Sequence, residues 1–293
     1  MHRAVDSQAA ERFTFSEQAE PFRLGQTEPR VHGYAWRHSA PSASLVLLHG
    51  FQSHAQWFAE AGDLLLEQGF SVYAIDRRGS GSSPYERGHV RRYQDWFDEV
   101  AEVVREAKSE QPEAPVHLVG HCFGANVALG YVLTHRPSDV ASVAMLTPGL
   151  YVHQDYTVPQ KLRLIYDALR CSPRHHHAPQ QPEDFSFDED LVAWIHGDSL
   201  GAQTATGRCL FETGKMMRFL RHNVGRVDVP ILVFEAARDR ISDNARNRAA
   251  FEGAVGDRCR FVTFDAEHFL LAEPVRDDVL DELASWASEG EAA

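Results

Sequence analysis

The sequence predicts an α/β protein built on a mostly parallel, doubly wound sheet with an inserted helical segment. Three observations carry this. Short continuous apolar runs such as Ser44–Leu48 and Val140–Leu146 alternate with helical patterns on both flanks of the chain. Between the flanks, residues 147–225 lose those runs and show helical spacing instead. Finally, the stretch Val116–Asn126 reads as a buried strand, a tight turn and a helix start, with Gly120 and Gly124 two residues either side of Cys122. The expected organisation is a core formed by residues 1–146 and 226–293, with residues 147–225 as a cap.

The elements follow in order. Residues 1–20 are polar and read as irregular or peripheral. Pro21–His38 reads as two paired strands around a turn at Glu28–Arg30, with Tyr34 and Trp36 alternating. The strand Ser44–Leu48 runs into His49-Gly50-Phe51-Gln52. A helix then carries Trp57, Phe58, Ala61, Leu64 and Leu65. Phe70–Ile75 is the next strand, followed by the glycine-rich turn Asp76–Ser83. A helix from about Arg91 to Lys108 places Tyr93, Trp96, Val100, Val104 and Ala107 on one stripe. In the insertion, helices are expected near Pro159–Arg170, Asp188–Gly197 and Thr204–Arg221, with no strands and a polar Pro- and His-rich loop at Ser172–Asp184. Pro230–Glu235 and Arg260–Phe264 restore the strand pattern, and an amphipathic helix with Val279, Leu280, Leu283 and Trp286 closes the chain.

Composition narrows the function classes. The 293 residues carry a net charge of −13 with no basic stripe, which argues against a nucleic-acid partner. Met1–Ser7 has no apolar core, no run is long enough to span a bilayer, and the four cysteines form no C-x-x-C pair. A cytoplasmic protein with free thiols is the expectation. No G-x-G-x-x-G fingerprint or P-loop appears, so no cofactor is expected. The run His175-His176-His177 invites a metal reading, but adjacent residues rarely converge on one ion and no carboxylate or cysteine sits at ligand spacing beside them. No metal is expected.

The chemistry gathers at Cys122. The pattern Gly120-His121-Cys122-Phe123-Gly124 is the G-x-S-x-G nucleophile elbow with cysteine at its centre. Glycines flank it because a residue perched on a strained strand-to-helix turn leaves no room for side chains two positions away. A helix N-terminus also suits a negative charge, hence a thiolate. A nucleophile needs a base, and the base needs an orienting acid. Asp239 follows the strand Pro230–Glu235, with Asp243 and Glu235 as local rivals. His268, one of 16 histidines, follows the strand Arg260–Phe264. Both positions lie at carboxyl ends of strands, on the rim where open α/β sheets bind ligands. Backbone N–H groups of Phe51 and Phe123 are the expected oxyanion donors. Gly79-Ser80-Gly81 imitates the elbow, but no helix follows at the right distance.

These residues resemble the α/β-hydrolase superfamily over essentially the whole chain, and its monoacylglycerol lipase and lysophospholipase-like branch most of all. His49-Gly50-Phe51 resembles that branch's oxyanion loop. Asp76-Arg77-Arg78-Gly79-Ser80-Gly81-Ser82 resembles its D-x-R-G-x-G-x-S turn. Tyr93-Gln94-Asp95-Trp96 is similar to the opening of its next helix. Arg238-Asp239-Arg240 and Glu267-His268 fall where its acid and base fall. The resemblance implies the α/β-hydrolase fold. The departure is the nucleophile: serine would imply a carboxylester or lipid hydrolase, whereas cysteine occurs in relatives such as dienelactone hydrolases and polyhydroxyalkanoate synthases.

The expected activity is therefore acyl processing. An acyl-Cys122 intermediate would form from an ester or thioester with an apolar acyl part, and hydrolysis or acyl transfer would follow. A free thiol titrates near pKa ~8.5, and a histidine partner plus a helix N-terminus lowers it. Two other readings stand beside this one: a non-catalytic ligand-binding protein on the same fold, and a serine hydrolase with an introduced Ser→Cys change. Tyr151, Tyr156, Tyr166, Trp194, Phe211, Met216 and Met217 give the insertion apolar surface for an acyl chain, or simply pack its helices together.

Overall fold

A computed structural model describes residues 11–25 and 31–289. Its strands are β1 (Glu20–Leu24), β2 (Val31–Trp36), β3 (Ser44–Leu48), β4 (Ser71–Asp76), β5 (Val116–His121), β6 (Val140–Leu146), β7 (His175–His177), β8 (Thr204–Thr206), β9 (Ile231–Ala236) and β10 (Cys259–Phe264). Its helices are α1 (Ala59–Glu67), α2 (Gln94–Glu110), α3 (Phe123–His135), α4 (Val158–Leu169), α5 (Glu189–Gly197), α6 (Gly207–Asn223), α7 (Asn244–Val255) and α8 (Arg276–Glu289).

Eight strands form one sheet in the order β1-β2-β4-β3-β5-β6-β9-β10. The pairings β1–β2 and β2–β4 are antiparallel, and the others are parallel. This is the α/β-hydrolase fold that the sequence predicted. The apolar runs follow from it. On β3, Leu45 and Leu47 pack into one core with Leu65 of α1 and Leu280 and Leu283 of α8. Val46 and Leu48 point the other way, into a core with Trp96 and Phe97 of α2 and Val127 of α3. Successive side chains of a strand alternate faces, so a strand covered on both faces reads as unbroken hydrophobicity. After β4 the chain crosses over β3 to place β5 on its far side. Crevices of α/β sheets open at such a reversal.

Three expectations need correction. Strands do occur in the insertion: β7 and β8 pair antiparallel, His175 opposite Thr206. Three-residue polar strands carry too little alternation to register as such. The chain before residue 21 is not wholly peripheral, because Phe13 is buried, with its ring 4.2 Å from that of Trp194. Finally, the first helix opens with a 3-10 turn, Ala55–Phe58, before α1 begins. The expected turn at Glu28–Arg30 lies outside the described residues.

The helices α4, α5 and α6 of the insertion lie close to the sequence expectation. Val158, Leu162, Tyr166 and Leu169 are exposed on α4. No helix among the described residues is long and apolar enough to cross a membrane.

Candidate active site

The elbow is built by close approach. Cys122 lies between β5 and α3 with φ 52° and ψ −107°, in a region that L-residues enter only when the surroundings enforce it. The surroundings are specific. A Cβ on Gly120 would collide with the backbone of Ala125, and one on Gly124 with the carbonyl of Leu48. Cys122 N donates to Leu146 O at 2.9 Å, and Gly149 N donates to Cys122 O at 3.2 Å, which ties the turn to the end of β6. The thiol is partly buried, and all four cysteines are free.

His268 follows β10 and Asp239 follows β9. The His268 ring donates from Nδ1 to both carboxylate oxygens of Asp239, at 2.8 and 2.9 Å. Both side chains are fully buried. Asp239 Oδ1 also accepts from the backbone N–H groups of Ile241 and Ser242, at 2.8 and 2.7 Å, so the carboxylate is held rigidly. The rivals are engaged elsewhere: Asp243 caps α7, and Glu235 pairs with Arg248 and Thr263. Arg238 goes to Asp265 and Glu267 instead of Asp239.

Burial alone would discharge His268. Asp239 and Cys122 outweigh that desolvation and push the ring up to about 10. The thiol acts on the ring by its proximity; no aligned hydrogen bond joins them, and Nε2 meets no acceptor or donor within the protein. His121, 5.1 Å from His268 between ring centroids, behaves in the opposite way: burial, then the neighbouring positive ring, holds it well below the usual imidazole value.

Phe51 and Phe123 face each other edge to face at 5.2 Å, which brings the loop after β3 against the start of α3. Behind them lies Arg77, which the sequence placed in the glycine-rich turn without a role of its own. It is buried, and its Nη2 donates to Gly50 O at 2.8 Å. Its guanidinium carbon lies 4.7 Å from the Phe123 ring centroid and 5.4 Å from that of Trp96. Nothing in a glycine-rich turn distinguishes a buried arginine from a solvated one; its burial is decided by Trp96 and Phe123, which are distant in sequence.

The insertion reaches the site through Phe185, also missed, whose ring stands edge-on to His268 at 5.5 Å. Trp57 packs against both Phe185 and Trp194. The side chain of Asp198 is buried and joins the insertion to the core through His54 Nε2 at 3.0 Å and Trp57 Nε1 at 3.1 Å. Of the apolar residues expected either to offer surface to an acyl chain or to pack the helices of the insertion, Met216 packs in the core with Phe123, whereas Tyr166 is exposed. A cleft of about 450 Å³ opens nearby but is lined by Ser186, Arg238, Glu267 and Glu273 and not by Cys122 or His268. Phe187, Ala272 and Pro274 complete its lining, so its walls mix apolar and charged surface.

Among the described residues no three His, Cys, Asp or Glu side chains gather as a metal site. The histidine run shows why: on β7 its members diverge, His176 going to Asp167 at 3.0 Å and His175 to Thr204 Oγ1 at 3.2 Å.

Comparison with known proteins agrees with this architecture. A family model described as serine aminopeptidase, S33, matches residues 39–275. The chain is similar to the phospholipase YtpA of Bacillus subtilis, 26% identical over 258 residues that cover 84% of this chain and 95% of that protein. It is also similar to a monoacylglycerol lipase of Mycolicibacterium smegmatis, 24% identical over 253 residues covering 84% and 88%. Among solved structures, a soluble variant of the Saccharomyces cerevisiae monoglyceride lipase superposes with a TM-score of 0.81 at 16% identity, covering 94% of this chain and 96% of that one.

Proposed function

The chain belongs to this α/β-hydrolase family, matched over residues 39–275, and is a hydrolase of the lipase and esterase type; from that premise we propose that it processes acyl esters or thioesters through an acyl-Cys122 intermediate. The observation that carries the reading is the position of Cys122 on the elbow, beside the buried His268–Asp239 pair.

The steps follow from the geometry. Cys122 Sγ attacks the substrate carbonyl carbon, an S–C bond forms, and the carbonyl electron pair moves to oxygen. The backbone N–H groups of Phe51 and Phe123 receive that oxyanion. The tetrahedral species collapses, the bond to the leaving group breaks, and the leaving oxygen or sulfur takes a proton from His268 Nε2. Because His268 is held charged across neutral pH, that proton is in place when sulfur attacks. The product is a thioester on Cys122. A thioester carbonyl is less resonance-stabilised than an ester, so water, an amine, a thiol or an alcohol can complete the cycle, with His268 taking the acceptor's proton. Hydrolysis and acyl transfer thus share the first half-reaction.

The similar lipases and phospholipase act, by their names, on lipid esters, and an apolar acyl part suits the aromatic walls Phe51, Phe123 and Phe185. Residues 147–225 serve as the cap, with Phe185 shielding His268 from water. A thiol nucleophile also favours a reducing compartment such as the cytoplasm.

The test uses p-nitrophenyl butyrate and intact-mass measurement. We expect a butyryl adduct on the peptide containing Cys122, and loss of both adduct and turnover in Cys122→Ala. Intact turnover in that variant sinks the reading. A Cys122 that takes neither acyl group nor iodoacetamide would make the protein a binder.

A further inference from the structure

Arg77 is a buried cation with no carboxylate in ion-pairing reach among the described residues. Its neighbour Arg78 takes the nearest acid, Glu99, at 2.8 Å. A buried charge without a contacting partner is costly, and burial brings Arg77 down to about 10, offset only in part by more distant groups, Glu99 among them. What the guanidinium does hold is two successive backbone carbonyls, that of Gly50 most closely. Its Nη2 donates to Gly50 O at 2.8 Å and, more weakly, to Phe51 O at 3.4 Å, while its Nε is buried without a partner.

A second donor holds the same carbonyl. His49 Nδ1 donates to Gly50 O at 2.7 Å. The tautomer follows from its other nitrogen, since Nε2 accepts from the backbone N–H of Arg77 at 3.1 Å. Burial and the positive charge of Arg77 keep the His49 ring neutral, well below the usual imidazole value, so it can donate at one nitrogen and accept at the other. The carbonyl of Gly50 is therefore pinned by two donors.

That carbonyl belongs to the peptide whose other end is the N–H of Phe51. A trans peptide is planar, with N–H and C=O pointing in opposite directions. Fixing the Gly50 oxygen fixes where the Phe51 N–H points. A charged donor on the oxygen also polarises the whole amide and strengthens its N–H as a donor.

We propose that Arg77, with His49, is a positioning residue for the oxyanion hole: it clamps and polarises the Gly50–Phe51 peptide so that the Phe51 N–H meets the developing oxyanion. The inference rests on the acyl-cysteine reading and names a component which that reading leaves unexplained. It also accounts for the buried charge without a carboxylate partner. The positive end of the clamp lies behind the peptide, where it adds to the field at the oxyanion without contacting substrate.

The test compares wild type, Arg77→Met and Arg77→Lys with p-nitrophenyl butyrate. Removing one oxyanion donor costs about 10²–10³ in kcat in a serine protease of another fold. Arg77→Met should lose about 10²-fold in kcat with KM changed less than about threefold, because the donor acts on the transition state. Arg77→Lys keeps a charge but loses the fork, and should recover part of the loss; it also carries the test if Arg77→Met does not fold. A direct readout comes from a carbonyl-13C acyl group trapped on Cys122 and followed by difference infrared spectroscopy. Weaker hydrogen bonding should move the carbonyl stretch to higher frequency in Arg77→Met. A folded Arg77→Met with unchanged kcat and unchanged stretch overturns the inference, as does a loss that falls wholly in KM. Absence of any acyl adduct in wild type, or full turnover by Cys122→Ala, would instead overturn the underlying reading.

Discussion

Replacement of Asp239 by asparagine probes the core of the site with little change of shape. In the structure, Oδ1 of Asp239 accepts from Ile241 N and Ser242 N, and Oδ2 lies 2.8 Å from His268 Nδ1. An asparagine must keep its carbonyl oxygen toward the two backbone donors, so its NH2 group faces His268. Nδ1 then has to accept, and the ring's proton moves to Nε2, the nitrogen that serves Cys122 in the proposed mechanism. The ring can no longer take up a proton there without becoming a buried cation against an amide. The charge effect is large as well. His268 is raised from 6.5 to about 10, which at ~1.36 kcal/mol per unit is about 5 kcal/mol of preference for the charged ring. Against the burial that disfavours charge, Asp239 is the largest favourable contributor, so its loss lowers the pKa of the ring.

Asp239→Asn should therefore lower kcat for p-nitrophenyl butyrate by about 10³–10⁴, as wrong-tautomer variants of such triads do on other folds. The pH profile should change too, because an alkaline limb near 10 in the wild type, marking loss of the imidazolium, should vanish. Stability obeys the same linkage. A folded-state pKa raised above the unfolded value contributes stability that is complete below about 6.5 and is lost as pH rises through about 10, so the variant should lack that dependence. Steady-state rates and thermal melts across this range measure both effects. A variant within tenfold of wild type that keeps its alkaline limb would refute the assigned roles.

Two further perturbations follow from the structure. Gly124→Ala gains about 1 kcal/mol of helix propensity, but its Cβ meets the backbone carbonyl of Leu48, which cannot move without disturbing β3; a net destabilisation of about 2 kcal/mol or more is expected in urea titration, and an unchanged midpoint would show the elbow to be slack. Glu273 is raised from 4.5 to about 7, chiefly by burial, with ionised Glu267 beside it, while Ser186 donates to it at 2.6 Å. Its contribution to stability is complete below about 4.5 and lost as pH rises through about 7, so Glu273→Gln should flatten the melting temperature across that window, and a dependence identical to wild type would exclude Glu273 as its source.

How much of this was legible in the sequence depended on how local the cause was. The run Ser44–Leu48 gave β3 its limits because burial on both faces leaves an unbroken signal within five residues. Gly120 and Gly124 marked the elbow because the steric demand falls at fixed offsets from Cys122. Asp239 and His268 were readable from position, each just past a strand. Phe13, Phe185 and Arg77 were not readable, because each is buried by partners far away in the chain: Trp194, His268 and Trp96 with Phe123, respectively. The same holds for β7, whose polar histidines form a strand only because Thr204–Thr206 pairs with them.

The histidines carry this point furthest. His49, His121 and His268 all sit buried at carboxyl ends of strands on one rim, and nothing in their neighbouring residues separates them. Burial acts on all three in the same direction, against charge. Only His268 has a carboxylate within hydrogen-bonding distance, and that contact, with Cys122, reverses the sign. His121, next to a positive ring, and His49, next to Arg77, are driven further toward neutrality. The rim thus holds two positive groups, His268 and Arg77, whose charges act at Cys122, separated by two neutral rings. In the mechanism proposed above, one positive group would face the leaving group and the other would stand behind the oxyanion donor, the two places where an acyl transfer must place a proton and accommodate a negative charge.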